Sequence, residues 1–154
     1  MNLRLYRPLI LRFLLAVLVA ALLVSVIQTQ LNLAALVAMG APMPLDVRLR
    51  TTGQDLIGFT PAYAGIVCAA FLVALPAGAW VARHRHGVSK ALILALAAVV
   101  GVGIALQVTD AVAPMPTLIA ATRTVAGTAW MLAGAAVGGL LFGLLLERRS
   151  ERAA

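Results

Sequence analysis

Four long apolar stretches separated by short polar ones make up this chain. The third, ALILALAAVVGVGIALQ over 91–107, contains no charged residue and almost nothing polar. About 20 apolar residues at 1.5 Å rise cross a hydrocarbon core of roughly 30 Å, so each stretch predicts a helix in lipid. The predicted spans are 8–28, 61–82, 91–109 and 124–146, with connections at 29–60, 83–90 and 110–123 and a tail at 147–154.

The first span has Arg12 as its only charge between Leu9 and Ile27, and Pro8 suits a first helical turn, where a missing N–H costs nothing. A basic start before an apolar run also resembles a secretory signal. This run is longer than a signal's apolar core, and its exit VSVIQTQ offers no small-x-small cleavage site, so a retained helix is expected. In 29–60, the segment 31–39 reads as a helical turn or two ending at Gly40, with Pro42 and Pro44 behind it. Leu45, Val47 and Leu49 then alternate with Asp46, Arg48 and Arg50, which predicts an extended strand or a loop lying flat on the helix ends. The sequence GQDLIG predicts a turn between Gly53 and Gly58.

The second span places Tyr63 near one end and Trp80 near the other, as an interfacial aromatic belt would, and Pro76 predicts a kink. The short polar connection 83–90 forces the second and third helices to be antiparallel neighbours. After Pro114 and Pro116, Thr117 is the expected cap of the last helix. From there to Glu147 is roughly 46 Å of helix, so the first turns would project beyond the hydrocarbon.

Composition agrees with this pattern: 63% hydrophobic and 11% charged residues lie outside the range of a water-soluble domain. The expected class is all-α, a polytopic four-transmembrane-helix bundle with a longer, partly ordered first outer loop. The net charge of +7 changes the picture only through its placement. Arg4, Arg7, Arg12, Arg83, Arg85, Lys90, Arg148, Arg149 and Arg152 fall on one side, against Arg48, Arg50 and Arg123 on the other. The positive-inside rule then puts both termini in the cytoplasm of a bacterial-type inner membrane, and basic residues so placed do not predict nucleic-acid binding.

Helices in lipid associate through small residues and a few hydrogen bonds. Gly134 and Gly138 form one row on the fourth span, and Ala135, Gly139 and Gly143 form a second beside it. Ala97, Gly101 and Ala105 make a similar ridge on the third. These predict close packing, within the bundle in preference to a homodimer.

Candidate chemistry is sparse. Arg123, with Asp110 as its nearest acidic residue in sequence, is the candidate for a salt bridge, a headgroup contact or an anionic ligand. Arg83, Arg85 and Lys90 are candidates for anionic headgroups. His84 and His86 lack the further ligands a metal site needs, and Cys68 is alone, so neither a metal nor a cofactor is expected. No span carries a charge at mid-depth, where ion-coupled transport normally places one. The paired cysteines of thiol oxidases, the clustered aspartates of lipid phosphotransferases and the motifs of membrane proteases are missing too. An enzyme on lipid-linked substrates would need two of Asp46, Asp55 and Asp110 to converge. The function expected is that of a non-enzymatic accessory or assembly subunit, its partners being membrane lipids and another membrane protein or a second copy. The alternative is an oligomeric carrier or permeation component for a lipid or other apolar small molecule.

Overall fold

The structure is a computed structural model that describes residues 3–85, 87–112 and 120–151. It is all-helical, with α1 at Leu3–Ala38, α2 at Leu45–His84, α3 at Lys90–Val112 and α4 at Val125–Glu151, preceded by a 3-10 turn at Ala120–Arg123. All four helices are long and apolar enough to cross a membrane. They pack in chain order around a ring, α1 on α2, α2 on α3, α3 on α4, and α4 back on α1.

One end of the bundle carries the basic turn 85–89 between α2 and α3, and is called the basic end; the other is the far end. The 36 residues of α1 and 40 of α2 make helices of roughly 54 and 60 Å, against roughly 35 Å for the 23 residues of α3. The first two helices therefore form a hairpin that stands out beyond α3 at the far end.

This overturns the strand, turn and loop expected in 29–60. Apart from residues 39–44, that segment is helix, and 45–51 are the first two turns of α2. The alternation misled because Leu45 and Leu49, and Asp46 and Arg50, are also four apart, which puts each pair on one face of a helix. Gly53 and Gly58 lie inside α2, where a side chain would meet only open space, so nothing at these positions requires a turn. Pro61 and Pro76 are likewise carried within α2.

The hairpin turn has a simple cause. Gly40 takes φ +88, its N–H donates to Val37 O at 2.9 Å, and Ala41 N–H donates to Leu36 O at 3.1 Å. These two bonds satisfy carbonyls that a helix end leaves without donors, and glycine reaches this left-handed conformation without a Cβ clash. Pro44, extended at φ −64 and ψ 163, then starts α2.

At the other connection, α4 begins later than expected. Thr124 Oγ1 accepts from Gly127 N–H at 3.0 Å and Thr124 O accepts from Thr128 N–H, so Thr124 is the cap. Arg123 thus sits on the 3-10 turn and not on a long continuous helix; the expected cap Thr117 lies outside the described residues.

The core is built from one stripe per helix: Ala16, Ala20 and Val24 on α1, Val67, Phe71 and Leu75 on α2, Leu94, Ala98 and Val102 on α3, and Met131, Ala135 and Phe142 on α4. Leu11, Leu18, Val73, Leu96, Val100 and Trp130 face outward. So apolar a surface is compatible with a transmembrane helical bundle. Glycine sets the spacing between helices. Gly134 and Gly138 face Val24 and Ala20 of α1, whereas Gly139 and Gly143 face Ala98 and Ala91 of α3. The two adjacent rows on α4 therefore serve two different neighbours. Gly101 does the same for α3 against Ala74 of α2.

Candidate functional site

Polar side chains inside the bundle concentrate toward the far end, between α1 and α2. On α1, Ser25, Gln28 and Thr29 are three and four residues apart, so they share one face. All three are buried. On α2, Thr60 and Tyr63 share a face in the same way and are also buried. Thr29 Oγ1 lies 2.7 Å from Asp55 Oδ2 and 2.9 Å from Ser25 O, its one proton serving both acceptors. One turn farther out, Gln30 Nε2 donates to Thr52 Oγ1 at 3.1 Å, and Thr52 Oγ1 donates to Arg48 O at 2.7 Å. These two cross-links fix the register of α1 against α2.

Four buried oxygens in this layer have no hydrogen-bond partner among the described residues: Ser25 Oγ, Gln28 Oε1, Thr60 Oγ1 and Tyr63 OH. A buried polar atom left without a partner costs about 1–3 kcal/mol. The fifth such atom among the described residues, Arg12 Nη1, lies apart from them nearer the start of α1. Tyr63 corrects an expectation as well. It does not face outward as a belt residue would but is fully buried, its ring stacked on Phe59 at 5.5 Å and 16°. Trp80, by contrast, is exposed, with its ring 4.9 Å from that of His84.

A second feature is a groove of about 910 Å³ between α2 and α3, open to the outside of the bundle. Its floor is made where the two helices approach most closely. A methyl at Gly78 would lie 2.6 Å from Ala97 Cβ, and one at Gly101 would lie 2.5 Å from Ala74 Cβ. Val73, Leu96 and Val100, all well exposed, form its walls. The lining runs from Ile66 to Arg85 on α2 and from Val88 to Thr109 on α3, roughly 30 Å of helix, about the thickness of a hydrocarbon core. Arg85 is the charged residue of the lining and stands at the basic end.

The basic end is fastened by Glu147. Its carboxylate accepts from Ser89 Oγ at 3.2 Å and from Ala91 N–H at 3.0 Å, capping α3 from the last turns of α4. Residues 83–85 and Lys90 are exposed around this junction, so Arg83, Arg85 and Lys90 present their charges outward. His84 Nδ1 meets Trp80 O at 3.0 Å, and His86 lies outside the described residues.

The other candidates gather at the far end. Asp110 Oδ1 accepts from Thr122 Oγ1 at 3.2 Å, which brings the end of α3 against the 3-10 turn that carries Arg123, itself exposed. The three aspartates have separate surroundings: Asp46 is exposed in the first turn of α2, Asp55 lies against Thr29, and Asp110 against Thr122. Among the described residues, no three His, Cys, Asp or Glu side chains come together as metal ligands. Cys68 is a free, half-buried thiol.

The layer of Ser25, Gln28, Thr29, Thr60 and Tyr63 was not singled out by reading the sequence. The signal that could have found it is spacing: three polar residues at i, i+3 and i+4 at the end of an apolar run, followed by a Thr and a Tyr three apart. Comparison with known proteins leaves the argument to this geometry, since no protein family, curated protein or solved structure matches the chain.

Proposed function

We propose that this chain is a non-enzymatic integral membrane subunit that receives a transmembrane helix of a partner protein in the groove between α2 and α3. The observation that carries this is the length and lining of the groove. It runs the thickness of a hydrocarbon core, and Ala69 and Ala77 leave small, exposed positions along it where another backbone can approach, although Gly78 and Gly101 on its floor are taken up by the packing of α2 on α3. Close approach over small residues is how helices associate in lipid. The glycine rows of α4 are already used inside the bundle, so they are not the docking surface. The projecting hairpin adds a second contact, with Leu36, Val37, Leu45 and Leu49 exposed on it. With the basic end in the cytoplasm of a bacterial-type inner membrane, Arg85 would meet an acidic residue at the inner end of the partner helix.

The test is photo-crosslinking in the native membrane from groove positions Ala77 and Val100, with outward-facing Leu18 of α1 as the control. The expected result is one discrete protein adduct from both groove positions and none from Leu18. Adducts to phospholipid alone, from every position, would overturn it. The second reading, an oligomeric carrier or permeation component for a lipid, draws on the apolar lining with Arg85 at one end. It predicts lipid adducts from Ala77 and Val100 that Leu18 does not give.

The orientation has its own test. With Cys68 replaced by Ala, an impermeant thiol reagent applied to intact cells should label a cysteine at Arg50 and leave one at Gly87 untouched until the cells are opened. The opposite pattern would invert the topology.

A further inference from the structure

The four oxygens without partners raise a question independent of the groove. We propose that Ser25, Gln28, Thr60 and Tyr63 bind a small monovalent cation, sodium by their ligand chemistry.

Thr29 is held to Asp55, and α1 and α2 run antiparallel. Moving toward the basic end, Ser25 lies four residues, roughly 6 Å, from Thr29, and Thr60 lies five residues, roughly 7.5 Å, from Asp55. Ser25 and Thr60 are therefore nearly level. Gln28 is level with the Thr29–Asp55 bond. Tyr63 is one turn deeper than Thr60, but helical side chains lean toward the N-terminus of their own helix, here the far end. Its stacking on Phe59 fixes that lean and carries the hydroxyl back toward Thr60.

Relative exposures of 1% for Ser25, 7% for Gln28, 6% for Thr60 and 0% for Tyr63 leave no route for bulk water to satisfy these atoms. They also limit the occupant to something small. The donor set is all oxygen, three hydroxyls and an amide carbonyl, without imidazole or thiol, which selects a hard cation over a transition metal. The four donors are neutral, which suits a monovalent ion, whereas calcium sites gather several carboxylates. A cation here would turn four unsatisfied acceptors into ligands and tie α1 to α2 at the base of the projecting hairpin.

The test uses the full chain in mild detergent, with thermal unfolding followed in sodium chloride and in choline chloride at equal ionic strength, and sodium binding measured by equilibrium dialysis with radiolabelled ion. The expected result is one sodium bound per chain and a higher Tm in sodium than in choline. Thr60→Val should abolish both effects. Ser25→Ala, a second variant in case the first fails to fold, should weaken sodium binding by about tenfold, the scale on which small changes around a bound ion act. No sodium-specific shift in the wild-type protein would overturn the proposal. So would a Thr60→Val protein more stable than wild type in both salts alike, because removing a hydroxyl that serves no ion relieves an unsatisfied group.

Discussion

Replacing Gly139 by alanine tests the packing of α3 against α4 at a point where the two backbones approach closely. A methyl at this position would lie 2.5 Å from Ala98 Cβ, 2.7 Å from Leu94 O and 3.0 Å from Ala95 Cα. Carbon atoms rest at about 3.5–4.0 Å, so the two helices must separate by about 1 Å along this seam or compress the contact. Two of the three neighbours are backbone atoms, which cannot swing aside as a side-chain end would. Overpacking of this kind costs about 1–3 kcal/mol. Gly65 supplies the control, because the same methyl on α2 meets nothing within 4 Å. There alanine should gain about 0.5–1 kcal/mol, the cost of a glycine within a helix. Thermal unfolding by circular dichroism in one detergent, at matched scan rates, reads the difference. At about 2–4 °C per kcal/mol for this chain length, Gly139→Ala should lower Tm by roughly 2–12 °C while Gly65→Ala leaves it unchanged or raised. Equal shifts for the two variants, or a rise for Gly139→Ala, would refute the close approach of these helices.

The carboxylate that caps α3 gives a further prediction. Glu147→Ala removes the acceptor for Ser89 Oγ and Ala91 N–H and should cost about 1 kcal/mol, as loss of a helix cap does, whereas Glu147→Gln keeps an acceptor oxygen and should cost less. Paired unfolding curves would show this order, and identical values for the two would mean the cap contributes nothing.

Much of the architecture was legible from residue order, and what was misread has particular causes. The four apolar runs give four helices, each long and apolar enough to cross a membrane, where a helix would satisfy the backbone of so long a stretch. The segment 45–51 was misread because seven residues hold too little information to separate a period of two from one of 3.6 when charged and apolar residues both recur at four. Thr117 was chosen as a cap by its place after two prolines, yet Thr124, which had no such flag, makes the bonds. Position along the span says nothing of facing, and Tyr63 turns into the bundle where Trp80 turns out.

By itself, then, the order of residues determined that four long apolar helices form, that a helical segment ends at Gly40, and that the molecule's outer surface is apolar. What only the tertiary structure decided is which side of each helix faces in. Inward and outward positions in a membrane-type bundle carry the same kinds of residue, so periodicity does not distinguish Val100 on a groove wall from Val102 in the core. The same holds for the polar layer. Ser25, Gln28, Thr60 and Tyr63 are far apart in the chain and unremarkable singly. Their burial without a hydrogen-bond partner depends on the packing of the helices, with α1 pinned to α2 by Thr29 and Asp55, and no stretch of sequence shows it.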